Sequence, residues 1–364
     1  MRRRSFLART LSLGGAAVTA ACGRLLGSRR GPEPGQDAVV GPGVEEEAGA
    51  EGPPPPTAHP GTAEVRLRYG DDVPAAKALP RRALGSTQVV VPQLALGGYH
   101  LGMHTQEAPA RALVEAALEE GVRFFDTAEQ YQRNDDSRSE RWLGAALADV
   151  RDEVFLMTKT WDPDERSGAT AREHLARSLE RLRTDRLDLW QLHAVKSPED
   201  VDRAFAPGGA VEAILEAQAQ GLTRFVGVTG HADPAAHLRA LHHFDQGLRF
   251  DVVQMPMNPV DAHQRSFTRQ VLPELRRRGI GVLAMKTAAA GSLPQREVAQ
   301  VDECLRWVAS LPADVLVSGM ETVAHLRANA AALRRGPMPE KESAALLARV
   351  APLVDPGLES YKTG

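Results

Sequence analysis

A tyrosine, a lysine, an aspartate and a histidine can together deliver a proton to an oxygen, and Asp126, Tyr131, Lys159 and His193 are such a set. A free tyrosine holds its proton with a pKa of ~10. A nearby lysine ammonium favours the phenolate and lowers that value. The lysine must itself stay charged in a partly buried place, which an adjacent aspartate secures. A histidine on the other side hydrogen-bonds a substrate oxygen and helps to relay the proton. On this scheme Asp126 holds Lys159, Lys159 tunes Tyr131, and His193 orients a carbonyl. Taken alone, each residue has a plainer reading. Asp126 can cap a turn, Tyr131 can be a loop aromatic, Lys159 a solvated strand end and His193 a satisfied core histidine. Joint placement decides.

That placement depends on strands. RRALGSTQVVVPQLALGG, from Arg81, reads as a β-hairpin turning near Gly85-Ser86 and feeding a further strand. Strand patterns then fall at 93–96, 123–126, 154–159, 187–193, 225–229, 252–255, 282–286 and 315–318. A helical pattern follows each, including one over 267–278, and a last helix spans 340–350. Alternating β and α units imply a parallel sheet, and eight of them imply an α/β fold of the (β/α)8 TIM-barrel type. An open doubly wound sheet is the competing architecture. It usually carries G-x-G-x-x-G after its first strand, and the glycines of LALGGYHLG do not fit that spacing. In a barrel the carboxyl ends of the strands share one mouth. Asp126, Lys159 and His193 end the second, third and fourth strands, and Tyr131 sits in the loop after Asp126.

In this order the motifs resemble the aldo-keto reductase superfamily over about residues 80–335: FFDTAEQY, VFLMTK and LDLWQLH, supported by SRSERWLGAAL, GLTRFVGVTG and FDVVQMPMN. The resemblance implies NADP or NAD bound extended across the barrel mouth without a Rossmann fold. It implies hydride transfer to an aldehyde or ketone while Tyr131 protonates the oxygen. Gln254 and Thr229 would hold the nicotinamide, with Thr229-Gly230 standing where relatives have a Ser-Asn pair. Met257 falls where an aromatic residue usually stacks on the ring, and a thioether can pack there instead. Asn258 would be a second polar contact, and Lys286 replaces a Ser-Pro-Leu turn. VSGMETVAHLRANAAAL matches the adenosine-phosphate site, with Gly319, Glu321, Arg327 and Asn329. Glu321 stands where NADPH-preferring relatives often have an arginine, so a weakened preference for NADPH is expected. Tyr99, His100 and Trp161 are substrate-pocket candidates by position. Two alternatives keep the barrel: a non-catalytic nicotinamide-binding sensor, and a Schiff-base enzyme using Lys159 or Lys286.

Composition sets the outer bounds. Of 364 residues, 43% are hydrophobic and 25% charged, with a formal charge of −3. That balance suits a globular protein acting on a small molecule and argues against nucleic acid as a partner. The two cysteines, Cys22 and Cys304, cannot build a disulfide framework or a cysteine-rich metal site, and no metal is expected. A monomer is expected. MRRRSFLARTLSLGGAAVTAAC has a cationic start and an apolar run too short to span a membrane, as in a secretory signal peptide over residues 1–22. Arg3-Arg4-Ser5-Phe6-Leu7 resembles the twin-arginine consensus, which implies a periplasmic protein or one anchored facing outward. Cys22 then reads either as a lipidation site or as a bystander to plain cleavage after Ala20 or a neighbour. Residues 23–76, rich in Pro, Gly and Glu, read as a flexible linker before a barrel at 77–364.

Overall fold

Runs of β-branched, aromatic and aliphatic residues, separated by helical patterns, close into a barrel of eight strands. The computed structural model describes residues 68–132, 134 and 136–363. The expected signal peptide, Cys22 and the linker up to residue 67 lie outside the described residues. The barrel strands are β3 (Leu94–Gly97), β4 (Phe124–Asp126), β5 (Phe155–Thr160), β6 (Leu187–Leu192), β7 (Thr223–Thr229), β8 (Val252–Pro256), β9 (Gly281–Met285) and β10 (Val315–Gly319). All neighbours pair in parallel, as the alternation of strands and helices predicts.

Strand geometry sorts each sequence into two stripes, because successive side chains point to opposite faces. The inward stripe carries Ala95, Phe124, Phe155, Met157, Leu189, Phe225, Val252 and Leu283, which pack as one cluster inside the barrel. Phe155 stacks on Phe124 at 4.3 Å and lies 6.4 Å from Phe225. The outward stripe, with Leu96, Phe125, Leu156 and Trp190, packs against the helices. Counting on by twos along the inward stripe reaches Asp126, Lys159, His193, Thr229 and Gln254. A filled interior therefore delivers these polar residues to one end.

The opposite end is shut by the hairpin. β1 (Arg81–Ala83) and β2 (Val90–Pro92) pair antiparallel, and Leu84, Val89 and Val91 join the interior cluster from below. Sequence reasoning ran the linker to residue 76, but the fold takes in the chain from residue 68. Tyr69 is buried, its ring lies edge-on to Phe155 at 5.8 Å, and its hydroxyl donates to Asp188 Oδ1 at 2.8 Å. Arg224 donates to the same hydroxyl at 2.9 Å. An aromatic with a polar tip suits this place, where the apolar interior meets the Asp188 carboxylate and the Arg224 guanidinium.

Two of the departures from the expected helices have a local cause. The 267–278 pattern is split into Phe267–Gln270 and Leu272–Arg277. Pro273 has no N–H to bond back into the preceding turn, so the helix restarts with proline in its first turn. Pro198–Phe205 is an added helix, capped by Ser197 accepting from the Asp200 amide and started by Pro198. Cys304 is buried, as a small core residue should be.

Candidate active site

At the carboxyl end of the barrel Lys159 is the hub. Its ammonium donates to Asp126 Oδ1, to the Thr127 carbonyl at 2.7 Å and toward the Tyr131 hydroxyl at 3.5 Å. Three donors meet three acceptors, so the ammonium is fully used. The Lys159 and Asp126 side chains are only 2% and 4% exposed. Burial raises the Asp126 carboxyl and lowers the Lys159 ammonium, and each group's charge opposes the other's shift. Gln254 adds a donor to Asp126 Oδ1 at 3.4 Å.

Tyr131 is set by a turn, its amide donating to the Ala128 carbonyl at 3.1 Å. The loop below is pinned by Ser139, whose hydroxyl meets Thr127 Oγ1 at 2.8 Å and donates to the Gly98 carbonyl at 2.7 Å. The Tyr131 ring lies edge-on between Tyr99 at 5.4 Å and His193 at 5.8 Å. Contrary to the sequence expectation, its phenol is pushed well above the ordinary value. Desolvation is the main cause, followed by the charge of Asp126 and the neighbouring Tyr99. The lysine cannot reverse this in the resting protein, because Asp126 already neutralises it. His193 is pushed well below its ordinary value by burial first, then by the charges of Lys159, His231, Arg166 and Lys286. At neutral pH the site thus holds a protonated phenol and a neutral imidazole.

Around this core the expected cofactor residues sort unevenly. Thr229 and Gln254 are buried and pair in register across β7 and β8. Gln254 Oε1 is a buried acceptor with no partner among the described residues. A carboxamide N–H₂ is the kind of donor it lacks, so the site fits a nicotinamide. Met257 is also buried. Asn258 is a correction, since its amide is fully used by the chain itself. Nδ2 donates to Glu359 Oε1 at 3.1 Å and to the Tyr361 hydroxyl at 2.8 Å, while Oδ1 accepts from the Val260 and Asp261 amides. Asn258 therefore anchors the C-terminal turn (Pro356–Thr363).

That turn is the part of the mouth that sequence reasoning missed. The Tyr361 ring lies under the Lys286 ammonium at 4.9 Å, and its carbonyl accepts from His231 Nδ1 at 3.1 Å. Lys362 is buried between Asp261 and Glu359 at 2.8 and 2.7 Å. Burial lowers the Lys286 ammonium.

At the far side Gly319 lies against the His100 imidazole, and a Cβ there would run into the ring. Glu321 is exposed, with Oε1 4.0 Å from His100 Nε2. Asn329 is buried, donates to Ser318 Oγ at 3.1 Å and lines a cleft of about 500 Å³ with Gln300, Val301 and Asp302. Arg327 is a second correction. Two residues apart on helix Val323–Arg334 do not share a face, and Arg327 turns toward Glu119 and Glu120 at 3.9 and 3.8 Å. Of the substrate-pocket candidates, Tyr99 is exposed beside Tyr131 and His100, while Trp161 directly follows β5 and is half-buried.

A match to the Aldo/keto reductase family spans residues 93–303, the strands and loops that carry this constellation. The chain belongs to that family. Among curated relatives, the methylglyoxal reductase YeaE of Escherichia coli is 29% identical over 267 residues, covering 68% of this chain and 87% of that one. An uncharacterized oxidoreductase of Bacillus subtilis, YrpG, is 30% identical over 226 residues, 58% of this chain and 67% of its own. An aldo/keto reductase of Klebsiella pneumoniae solved with NADPH superposes with a TM-score of 0.62 at 25% identity, covering 75% of this chain and 96% of that one. A Klebsiella structure with NADP and acetate gives 0.60 at 26%, covering 74% and 94%.

Proposed function

We propose that this protein is an NADP-dependent carbonyl reductase in which Tyr131 is the proton donor. The observation that carries the reading is the Tyr131 hydroxyl 3.5 Å from the Asp126-paired Lys159 ammonium, with the neutral His193 imidazole edge-on to the tyrosine ring. The dinucleotide, when bound, supplies the hydride. Thr229 and Gln254 would hold its carboxamide, and Asn329 with its cleft would take the adenosine end. Tyr131 stays protonated until a carbonyl oxygen gains charge beside it, then gives up its proton. Lys159 acts at that moment, because a phenolate formed 3.5 Å from an ammonium is stabilised where a resting phenol is not. His193, neutral, offers one N–H to the same oxygen.

Fluorescence titration with NADPH, followed by NADPH oxidation over a panel of aldehydes and ketones including methylglyoxal, tests this reading. Turnover should be flat from neutral to alkaline pH, since the phenol is raised. It should fall on the acid side only where His193 protonates, below its ordinary value. Failure to bind NADPH and NADH alike sinks the reductase reading, and binding without turnover of any carbonyl favours a sensor.

Glu321 supports a cofactor choice shifted toward NADH. Its exposed carboxylate would repel a 2′-phosphate and would accept from ribose hydroxyls. Glu321→Arg should raise the NADPH over NADH affinity ratio by about tenfold. An unchanged ratio would place the 2′-phosphate elsewhere.

Export through the twin-arginine route belongs to the same proposal, on the strength of Arg3-Arg4-Ser5-Phe6-Leu7. Cell fractionation should find the protein outside the cytoplasm, and changing Arg3 and Arg4 to Lys should retain it inside. Equal fractionation of both forms would refute export by that route.

A further inference from the structure

His193 has no hydrogen bond of its own to hold its ring. Its Nδ1 is buried without a partner among the described residues, and no side-chain bond replaces it. The imidazole can be only as well placed as the backbone beneath it. That backbone leaves β6 through Ala194, whose φ of +55° is in the left-handed region that a residue with a Cβ rarely adopts. Something must hold the segment there.

Arg166 does so. It follows β5 by a short loop, is 0% exposed and has a φ of +55° itself. Nη1 donates to the His193 carbonyl at 2.8 Å and Nη2 to the Ala194 carbonyl at 3.0 Å. On its other edge the guanidinium grips Asp200 with a fork, Nε to Oδ1 at 2.9 Å and Nη2 to Oδ2 at 2.6 Å. Asp200 Oδ2 in turn accepts from the Lys196 amide at 3.0 Å, closing the loop after His193. A planar, rigid guanidinium suits this task, and a lysine could not span both carbonyls and the carboxylate. The Arg166 carbonyl accepts from the Ala210 amide at 2.7 Å, so the arginine is fixed at both ends.

We propose that Arg166 is a positioning residue for carbonyl reduction, holding the turn that sets the His193 imidazole against Tyr131. The proposal rests on His193 acting on the substrate oxygen, as argued above. A guanidinium removed alone would leave buried Asp200 with the half-exposed Arg203, 2.9 Å from Oδ1, as its remaining counter-charge among the described residues. The test therefore uses Arg166→Met with Asp200→Leu, Arg166→Lys as a second variant, His193→Ala, and each combined with His193→Ala.

The paired variant should keep NADPH affinity within about twofold and lose about 10- to 100-fold in kcat, the scale of a displaced catalytic group. In the His193→Ala background the same change should lower kcat by less than about threefold, because the residue it positions is gone. With the buried cation removed, the acid limb of the kcat profile should move to higher pH. If the paired variant fails to fold, Arg166→Lys carries the same cycle with a loss of about fivefold. Losses that multiply independently of His193 overturn the proposal, as does wild-type kcat or a fall in NADPH affinity of the same size. Undiminished turnover by His193→Ala alone overturns the role of His193, and this proposal with it.

Discussion

Tyr131→Phe should lower kcat for carbonyl reduction by roughly 10²- to 10⁴-fold, the usual contribution of a placed general acid. NADPH affinity should stay close to wild type. Among the described residues the bond lost is the 3.5 Å contact with Lys159, and the ring keeps its edge contacts with Tyr99 and His193. Folding should therefore survive, which makes the loss readable as chemistry. Single-turnover measurement with bound NADPH is the check. A drop of only a few-fold would mean that His193 or water supplies the proton, and the assignment of Tyr131 would fall.

Lys159→Met should be the more damaging change to the molecule. It leaves the Asp126 carboxyl at 4% exposure without its counter-charge. Breaking a buried pair from one side destabilises by about 3–5 kcal/mol. Activity should vanish as well, since nothing would then stabilise the phenolate. The pH dependence has a definite sign. Burial already raises the Asp126 carboxyl, and without the lysine its folded value lies still further above the unfolded one. Such a group contributes stability below the unfolded value and loses it as pH rises through the folded one. The variant's deficit should be greatest at neutral pH and shrink in acid. Urea unfolding at both pH values, with Lys159→Met/Asp126→Leu as the partner variant, measures this. A deficit independent of pH, or one that the second substitution fails to relieve, would show that Asp126 does not carry it.

Much of this site could be read from period-two patterning. Asp126, Lys159 and Gln254 sit two residues beyond interior-cluster residues on their own strands, and the parallel order brings those strand ends together. Loop residues and helix faces were harder. Asn258 follows the inward stripe closely enough to look like a ligand contact, yet its partners lie about a hundred residues further on, beyond any local pattern. Arg327 rests on the likeness of its segment to the family's adenosine-phosphate site, which does not say which way each residue of a helix faces. The C-terminal turn carried one usable signal. The chain has four tyrosines, at 69, 99, 131 and 361; Tyr99 packs on Tyr131, and Tyr361 lies under Lys286. The pKa of Tyr131 was misjudged for a different reason: pairwise charge logic leaves out the water that folding removes.

Tyr69 has a consequence for any copy held on a surface. The described chain enters the barrel at its closed floor, beside Asp188 and Phe155, at the pole away from Tyr131. A leash fastened upstream of residue 68 would pull on that pole. The catalytic opening would point outward, into the bulk, and substrate could diffuse in without being shadowed by the support.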